Sequence, residues 1–325
     1  MEIDLENVAF FEKMPCCSTS SEMEKRNKLQ AADKVSGPSR DGGNRRWEDL
    51  GSDLLVAIFS RIGVEDLIAG LPYVCSSWRC AARDPFCWRV LDFRSWDTIS
   101  HRLGCRRDEA VDFADLFNFA ISRSAGVIDC VYFPSFSDEI DLEYVANRCP
   151  MLRYFSMENP NVSETEFCKT ISKLKFLKGM AVDENLICHQ VLQHVNQCSG
   201  NFIELKVFSD TMDKQMASII CECLPHLQKL EITECIMSRG AILTLLDGLK
   251  KLEFLDVSGY EISGITNEVI EKASHLKVFQ WDSKYGKYGL GVFEYCYHCE
   301  EDYFHLAPCE CVLNQQLMEW LATLP

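Results

Sequence analysis

Long apolar runs are missing from this chain. No stretch of its 325 residues reaches the 18 or so uncharged apolar residues that a membrane helix needs, so no membrane span is expected. The opening MEIDLENVAFFEKMPCC is acidic before a short apolar run. A secretory leader needs a basic start and a longer apolar stretch, so no export is expected. Positive charge is scarce: 33 Lys and Arg stand against 49 Asp and Glu, a net charge of −16. Phosphate backbones are held by Lys and Arg, so this balance argues against nucleic acid as the main partner and favours a basic protein. Histidine is thin, at seven residues. There is no Gly-x-x-x-x-Gly-Lys phosphate loop, no Gly-x-Ser-x-Gly and no His-Glu-x-x-His, so common nucleotide, serine-hydrolase and zinc-hydrolase chemistries have no motif to stand on.

Cysteine, by contrast, is abundant, at 18. Without an export signal a reducing compartment is expected, cytoplasmic and/or nuclear, with most thiols free. Many sit in apolar contexts, where a free Cys packs as a small hydrophobe. Apolar residues make up 47% and charged residues 25%, the balance of a folded chain long enough for one large or two ordinary domains.

Residues 1–44 show no sustained periodicity and end in the cluster SGPSRDGGN; they read as a disordered leader, with Val8-Ala9-Phe10-Phe11 a candidate docking motif inside it. Residues 45–94 change character. Leu54, Leu55, Ile58, Phe59 and Ile62 recur with helical spacing, with Ser52 placed to cap the start. Val64 to Leu71 gives a second short helix before Pro72, and Val74, Cys75, Trp78 and Ala82 a third before Asp84-Pro85. About 50 residues of short helices bury little alone, so this unit is expected to dock on something else.

From residue 127, after a connecting segment of residues 95–126, a repeat appears on the template apolar-x-x-apolar-x-apolar. It fits Val127/Cys130/Tyr132, Leu152/Phe155/Met157, Leu177/Met180/Val182, Phe202/Leu205/Val207, Leu227/Leu230/Ile232, Leu252/Leu255/Val257 and Leu276/Phe279/Trp281. First positions are separated by 25 residues five times and then by 24. Between copies the spacing turns helical, as in Leu142/Val145/Ala146 and Val191/Leu192/Val195. Each copy is a strand plus a helix that cannot bury its apolar side alone, so neighbours must stack. The expected fold is an α/β solenoid of about seven leucine-rich repeats over residues 127–282. Trp88/Leu91/Phe93 offers a partial earlier copy.

With both halves in view, WEDLGSDLLVAIFSRIGVEDLIAGLPYVCSSWRCAARDPFCWR resembles an F-box. The family's pattern is met by Leu50, by Leu54-Leu55-Val56-Ala57-Ile58-Phe59, by Asp66-Leu67, by Val74-Cys75-x-x-Trp78-Arg79 and by Asp84-Pro85-x-x-Trp88-Arg89; Gly51 stands where the family has proline. WRVLDFRSWD is similar to plant F-box proteins with leucine-rich repeats. The resemblance implies a non-catalytic substrate receptor of an SCF-type cullin-RING ubiquitin ligase, with the F-box on a Skp-type adaptor, and through it a cullin, and the repeats on a protein substrate. A repeat scaffold without ligase coupling is the alternative, and Gly51 is what favours it. By the family's pattern Leu50, Leu54, Ile58, Leu67 and Trp88 are expected at the adaptor, and Ile62, Val74 and Trp78 fit the core as well.

Side chains alternate along a strand. If the template positions face inward, the outer, concave face carries Asp129, Val131 and Phe133 from the first copy, then Tyr154, Glu204, Lys206, Phe208, Lys229, Glu231, Phe254 and Asp256, and ends at Asp282. Aromatics among charges suit protein recognition, and the acids outnumber the bases, so a substrate with basic residues is expected near Tyr154, Glu204, Lys206, Phe208, Glu231, Phe254 and Asp256. Two lysines do not make a polyphosphate cradle, so no inositol-phosphate cofactor is expected. Residues 283–325 break the period. Cys296, Cys299, Cys309 and Cys311, with His298 and His305 between, give C-x-x-C followed by C-x-C. That spacing fits half of a zinc site with an irregular second half; a capping loop with unremarkable thiols is the favoured reading, and no metal is assigned. LNQQLMEWLATL reads as an amphipathic end helix shielding the last repeat.

Overall fold

The structure is a computed structural model that describes residues 47, 50–104, 111–159, 161–258 and 265–281. The leader and the Cys-rich segment, with Cys296, Cys299, Cys309 and Cys311, lie outside the described residues, as does Asp282. The chain forms two compact units that divide between Tyr132 and Phe133.

The first unit runs α1 (Ser52–Phe59), α2 (Val64–Ala69), a 3₁₀ turn (Leu71–Tyr73), α3 (Ser76–Ala81), a second 3₁₀ turn (Pro85–Trp88), β1 (Val90–Asp92), α4 (Trp96–Gly104), α5 (Phe113–Ser124) and β2 (Cys130–Tyr132). Ser52 is the first residue inside α1 and does not cap it: Gly51 holds the cap position and no side chain bonds there. On α1 the apolar stripe splits. Leu55 and Phe59 turn inward, and the Phe59 ring meets Trp78 edge-on, centroids 5.2 Å apart. Asp84 accepts a hydrogen bond from the Phe86 amide, and Pro85 opens the turn with a ring already set for it. Farther on, Asp112 caps α5 by accepting from the amides of Ala114 and Asp115. Ala125 ends that helix at φ 49°, the left-handed geometry of a helix stop.

β1 and β2 run parallel, with Leu91 opposite Val131. The partial copy at Trp88/Leu91/Phe93 is therefore a strand, and all three residues are buried. The next copy is shifted by one residue from the expected Val127/Cys130/Tyr132. Ile128, Val131 and Phe133 point inward, while Val127, Cys130 and Tyr132 are half-buried. Both registers are apolar here, so the pattern alone could not choose. Pairing with β1 does, because a one-residue slip swaps every side chain to the other face.

The second unit holds β3 (Tyr154–Met157), β4 (Gly179–Asp183), β5 (Glu204–Phe208), β7 (Lys229–Glu231), β9 (Phe254–Asp256) and β10 (Val278–Gln280), side by side and parallel. The register joins Phe155, Met180, Leu205, Leu230, Leu255 and Phe279 in one row, so the 25-residue period of the sequence becomes one strand per repeat. Helices return the chain: α6 (Glu139–Arg148), α7 (Glu164–Ile171), α8 (His189–Cys198), α9 (Lys214–Cys223), α10 (Arg239–Gly248) and α11 (Asn267–Ala273). Asp138, Asp213, Ser238 and Thr266 cap four of them through side-chain oxygens. Their inward residues, among them Leu142, Phe167, Val191, Ile220 and Leu245, are fully buried against the strand rows. A second, two-stranded pairing joins β6 (Thr211–Met212) to β8 (Ile236–Met237).

Candidate protein-binding surfaces

The five residues expected at the adaptor divide into two groups. Leu54 is 58% exposed and Ile58 41%, four residues apart on one side of α1, and Leu50 is half-buried just before it. Leu67 and Trp88 do not reach the surface: each is 2% exposed. Trp88 donates its indole N–H to the Ala82 carbonyl at 2.9 Å and meets Phe119 edge-on, with centroids 5.7 Å apart. As the first template position of the β1 copy it belongs to the core, and Leu67 lies on the inward side of α2. Leu67 and Trp88 instead sit in the wall of a small pocket beside Tyr73, Arg79 and Arg123, and Leu50, Leu54 and Ile58 are the members of the expected set whose side chains turn to solvent. Tyr73, which the sequence reading did not single out, and Val74, which it gave to the core as readily as to the adaptor, are both more than half exposed. They sit on and after the 3₁₀ turn, where no helical period exists to say which way a side chain faces.

On the second unit, the face of the sheet turned from the helices carries two lateral rows. One runs Tyr154, Gly179, Glu204, Lys229, Phe254, Val278; the other Ser156, Ala181, Lys206, Glu231, Asp256, Gln280. Six of the seven expected substrate residues stand in these rows, all of them half-buried. Phe208 stands beside Asp183 on the same side of β5. Phe133, expected among the exposed aromatics, is buried instead. Glu231 joins the two bases, lying 2.7 Å from Lys229 and 3.8 Å from Lys206. Each ammonium also lies 5.3 Å from an aromatic centroid, Lys206 over Phe208 and Lys229 over Phe254. Partial burial pulls the Lys229 ammonium down, but its bond to Glu231 and the nearby Glu204 and Asp256 carboxylates outweigh that and hold it above the usual lysine value. Both bases thus share Glu231, and with Glu204 and Asp256 beside them the centre carries three acids against two bases. Gly179 matters for shape: a Cβ there would fall 2.7 Å from Glu204 Cβ and 3.0 Å from Tyr154 Cδ2. The Tyr154 ring therefore lies across the space that the glycine leaves.

Among the described cysteines, Cys87, Cys149, Cys223 and Cys235 are buried and pack as small apolar groups. Burial pushes the Cys87 thiol up to about 11 and the Cys235 thiol up to about 12. A protonated thiol is a poor nucleophile. Among the described residues no group of three or more His, Cys, Asp and Glu could hold a metal ion, and no helix is long and apolar enough to cross a membrane.

A small helical unit with outward apolar residues, followed by parallel strands at a fixed period with helical returns, is the arrangement of an F-box joined to leucine-rich repeats. Comparison agrees. Residues 47–94 match the F-box-like family model. An F-box/LRR-repeat protein of Arabidopsis thaliana is 29% identical over 258 residues, covering 72% of this chain and 83% of the relative. The F-box protein SKIP1 of the same plant is 24% identical over 71% of this chain and 84% of its own length. Over most of its length the chain is thus similar to plant F-box/LRR-repeat proteins, with an F-box-like segment at residues 47–94. Among solved structures, the Rad7 and Elc1 complex in yeast aligns over 82% of this chain and 73% of its own, with 12% identity and a TM-score of 0.40.

Proposed function

We propose that this protein is the substrate-recognition subunit of an SCF-type ubiquitin ligase. The F-box unit docks on a Skp-type adaptor, and through it a cullin, by the surface around Leu50, Leu54 and Ile58. The rows near Tyr154, Glu204, Lys206, Phe208, Glu231, Phe254 and Asp256 hold a protein substrate with basic residues. The subunit performs no chemistry; it raises the effective concentration of substrate lysines beside the transfer machinery. One observation carries the reading: Leu54 and Ile58, a turn apart on α1, face solvent while Leu55 and Phe59 already fill the core. An apolar helical face that the fold does not use is what a partner's groove takes up.

The test is co-purification of a Skp-type adaptor with the full chain and with Leu54→Asp/Ile58→Asp. Both side chains are exposed, so the variant should keep its thermal transition and lose the adaptor. Retained adaptor at wild-type levels removes this surface from the proposal, and failure of the wild-type chain to capture any adaptor favours a repeat scaffold without ligase coupling.

A further inference from the structure

Two successive helix-to-strand loops of the second unit repeat a pattern that the other loops lack. The first runs from the last two residues of α6 through Arg153, NRCPMLR; the second is Ser172–Lys178, SKLKFLK. Aligned on the 25-residue period, Arg148 matches Lys173, Met151 matches Phe176 and Arg153 matches Lys178, and Lys175 adds one more base. The two segments hold five bases and no acid in a chain of net charge −16. The next loop, at 197–203, reads QCSGNFI and has neither feature.

The structure brings the two loops together. β3 and β4 pair in the register Tyr154 to Gly179, and the Lys178 amide donates to the Arg153 carbonyl at 2.7 Å. Equivalent residues are therefore lateral neighbours, about 5 Å apart by strand spacing. Met151 is 46% exposed and Phe176 49%, although Leu152 and Leu177 beside them are fully buried. The exposed pair is thus not a leak of the core: each loop keeps one apolar residue inside and presents another outside. Lys173 bonds Glu143 and Asn147 at 2.6 and 2.9 Å, and the Arg148 guanidinium lies 3.7 Å over the Tyr144 ring. Those contacts order the edge of the patch, and Lys175 and Lys178 are exposed beside Phe176.

We infer that this rim is a second docking surface, separate from the sheet face, and that it receives an acidic protein segment carrying apolar side chains. Charge complementarity selects the acids, and the two apolar groups between the bases select a protein over a polyphosphate chain. A phosphate backbone would use the bases alone and leave Met151 and Phe176 uncovered. The inference is independent of ligase coupling, because it uses no residue of the F-box unit.

Fluorescence anisotropy on the full chain tests it, with a labelled synthetic peptide alternating glutamate and leucine, a lysine–leucine peptide of equal length and a single-stranded RNA. The glutamate–leucine peptide should bind, and more weakly as salt rises. Lys175→Glu/Lys178→Glu should weaken it about tenfold or more, mainly through association. Phe176→Ser should weaken it too, while Lys250→Glu/Lys251→Glu, exposed elsewhere on the repeats, should leave it unchanged. Lys175→Gln/Lys178→Gln repeats the measurement if the reversal impairs folding. Equal binding of both peptides, or indifference to the Lys175 and Lys178 changes, overturns the inference. Tighter binding of RNA that is lost in the same variants reassigns the rim to nucleic acid and overturns it as well.

Discussion

Gly51 is the one residue at which this F-box departs from its family's pattern, and its backbone shows what the departure costs. Gly51 sits at φ −60° and ψ 148°, and nothing lies within 4 Å of where its Cβ would be. A proline ring fixes φ near −65°, so the chain already has the shape that proline would impose. The missing proline therefore leaves extra freedom in the unfolded chain and does not change the local backbone shape. Gly51→Pro should stabilise the protein by roughly 0.4–1 kcal/mol. Thermal unfolding should show a small rise in Tm, with adaptor capture undiminished; a fall in Tm would mean that Leu50 or the Gly51 amide is constrained in a way proline violates. At this scale the sequence was only partly legible. Leu54 and Leu55 are adjacent and equally apolar, and only the packing of Phe59 on Trp78 decides which of the two turns in.

Elements were more legible than faces. Helices at Leu142/Val145/Ala146 and Val191/Leu192/Val195 could be read because a 3.6-residue period marks one side unambiguously, and all six residues are buried. Three-residue strands have no such redundancy. That is why the β2 register was off by one, and why Trp88 was read as a family surface position when it is the first core residue of a strand unit. Helix-to-helix spacing was not legible at all. Gly248, at the end of α10, looks like a simple helix stop, yet an alanine Cβ there would fall 2.7 Å from Cys221 Cβ on α9 and closer still to its sulfur. The two helices approach this closely because one of them lacks a side chain. Gly248→Ala should destabilise by about 1–3 kcal/mol through overpacking. Removing the sulfur should recover part of this, so Gly248→Ala/Cys221→Ala should be less destabilised than the sum of the single changes, with a coupling of about 0.5–3 kcal/mol in denaturant unfolding. Simple additivity would show that α9 and α10 can shift apart without cost.

Across the whole molecule the two units divide the work that the proposed function needs, and the division itself can be measured. The α1 surface belongs to the first unit and the rows of the sheet to the second. In repeat proteins each repeat is held mainly by its neighbours, so changes on the sheet face should leave the F-box unit folded. The period made this architecture legible from the sequence, and alternation put Phe208 on the same side of β5 as Glu204 and Lys206. It could not show that Glu231 already engages both Lys206 and Lys229. On the proposed reading, the acid excess of the rows attracts a basic substrate, and the aromatics beside the lysines, Phe208 and Phe254, supply most of the binding energy. Truncating an anchor of this kind often costs about 2 kcal/mol, roughly thirtyfold in affinity. Phe208→Ala/Phe254→Ala should therefore release the proteins that the wild-type chain captures and slow their turnover in cells, with adaptor capture intact. Glu204→Gln/Asp256→Gln should instead slow association and flatten its salt dependence, with a smaller loss at equilibrium. Leu54→Asp/Ile58→Asp should do the reverse of the aromatic pair, keeping substrate and losing adaptor. If the aromatic double change leaves turnover intact while deletion of residues 283–325 abolishes it, recognition lies in the C-terminal segment and the sheet face is not the substrate site.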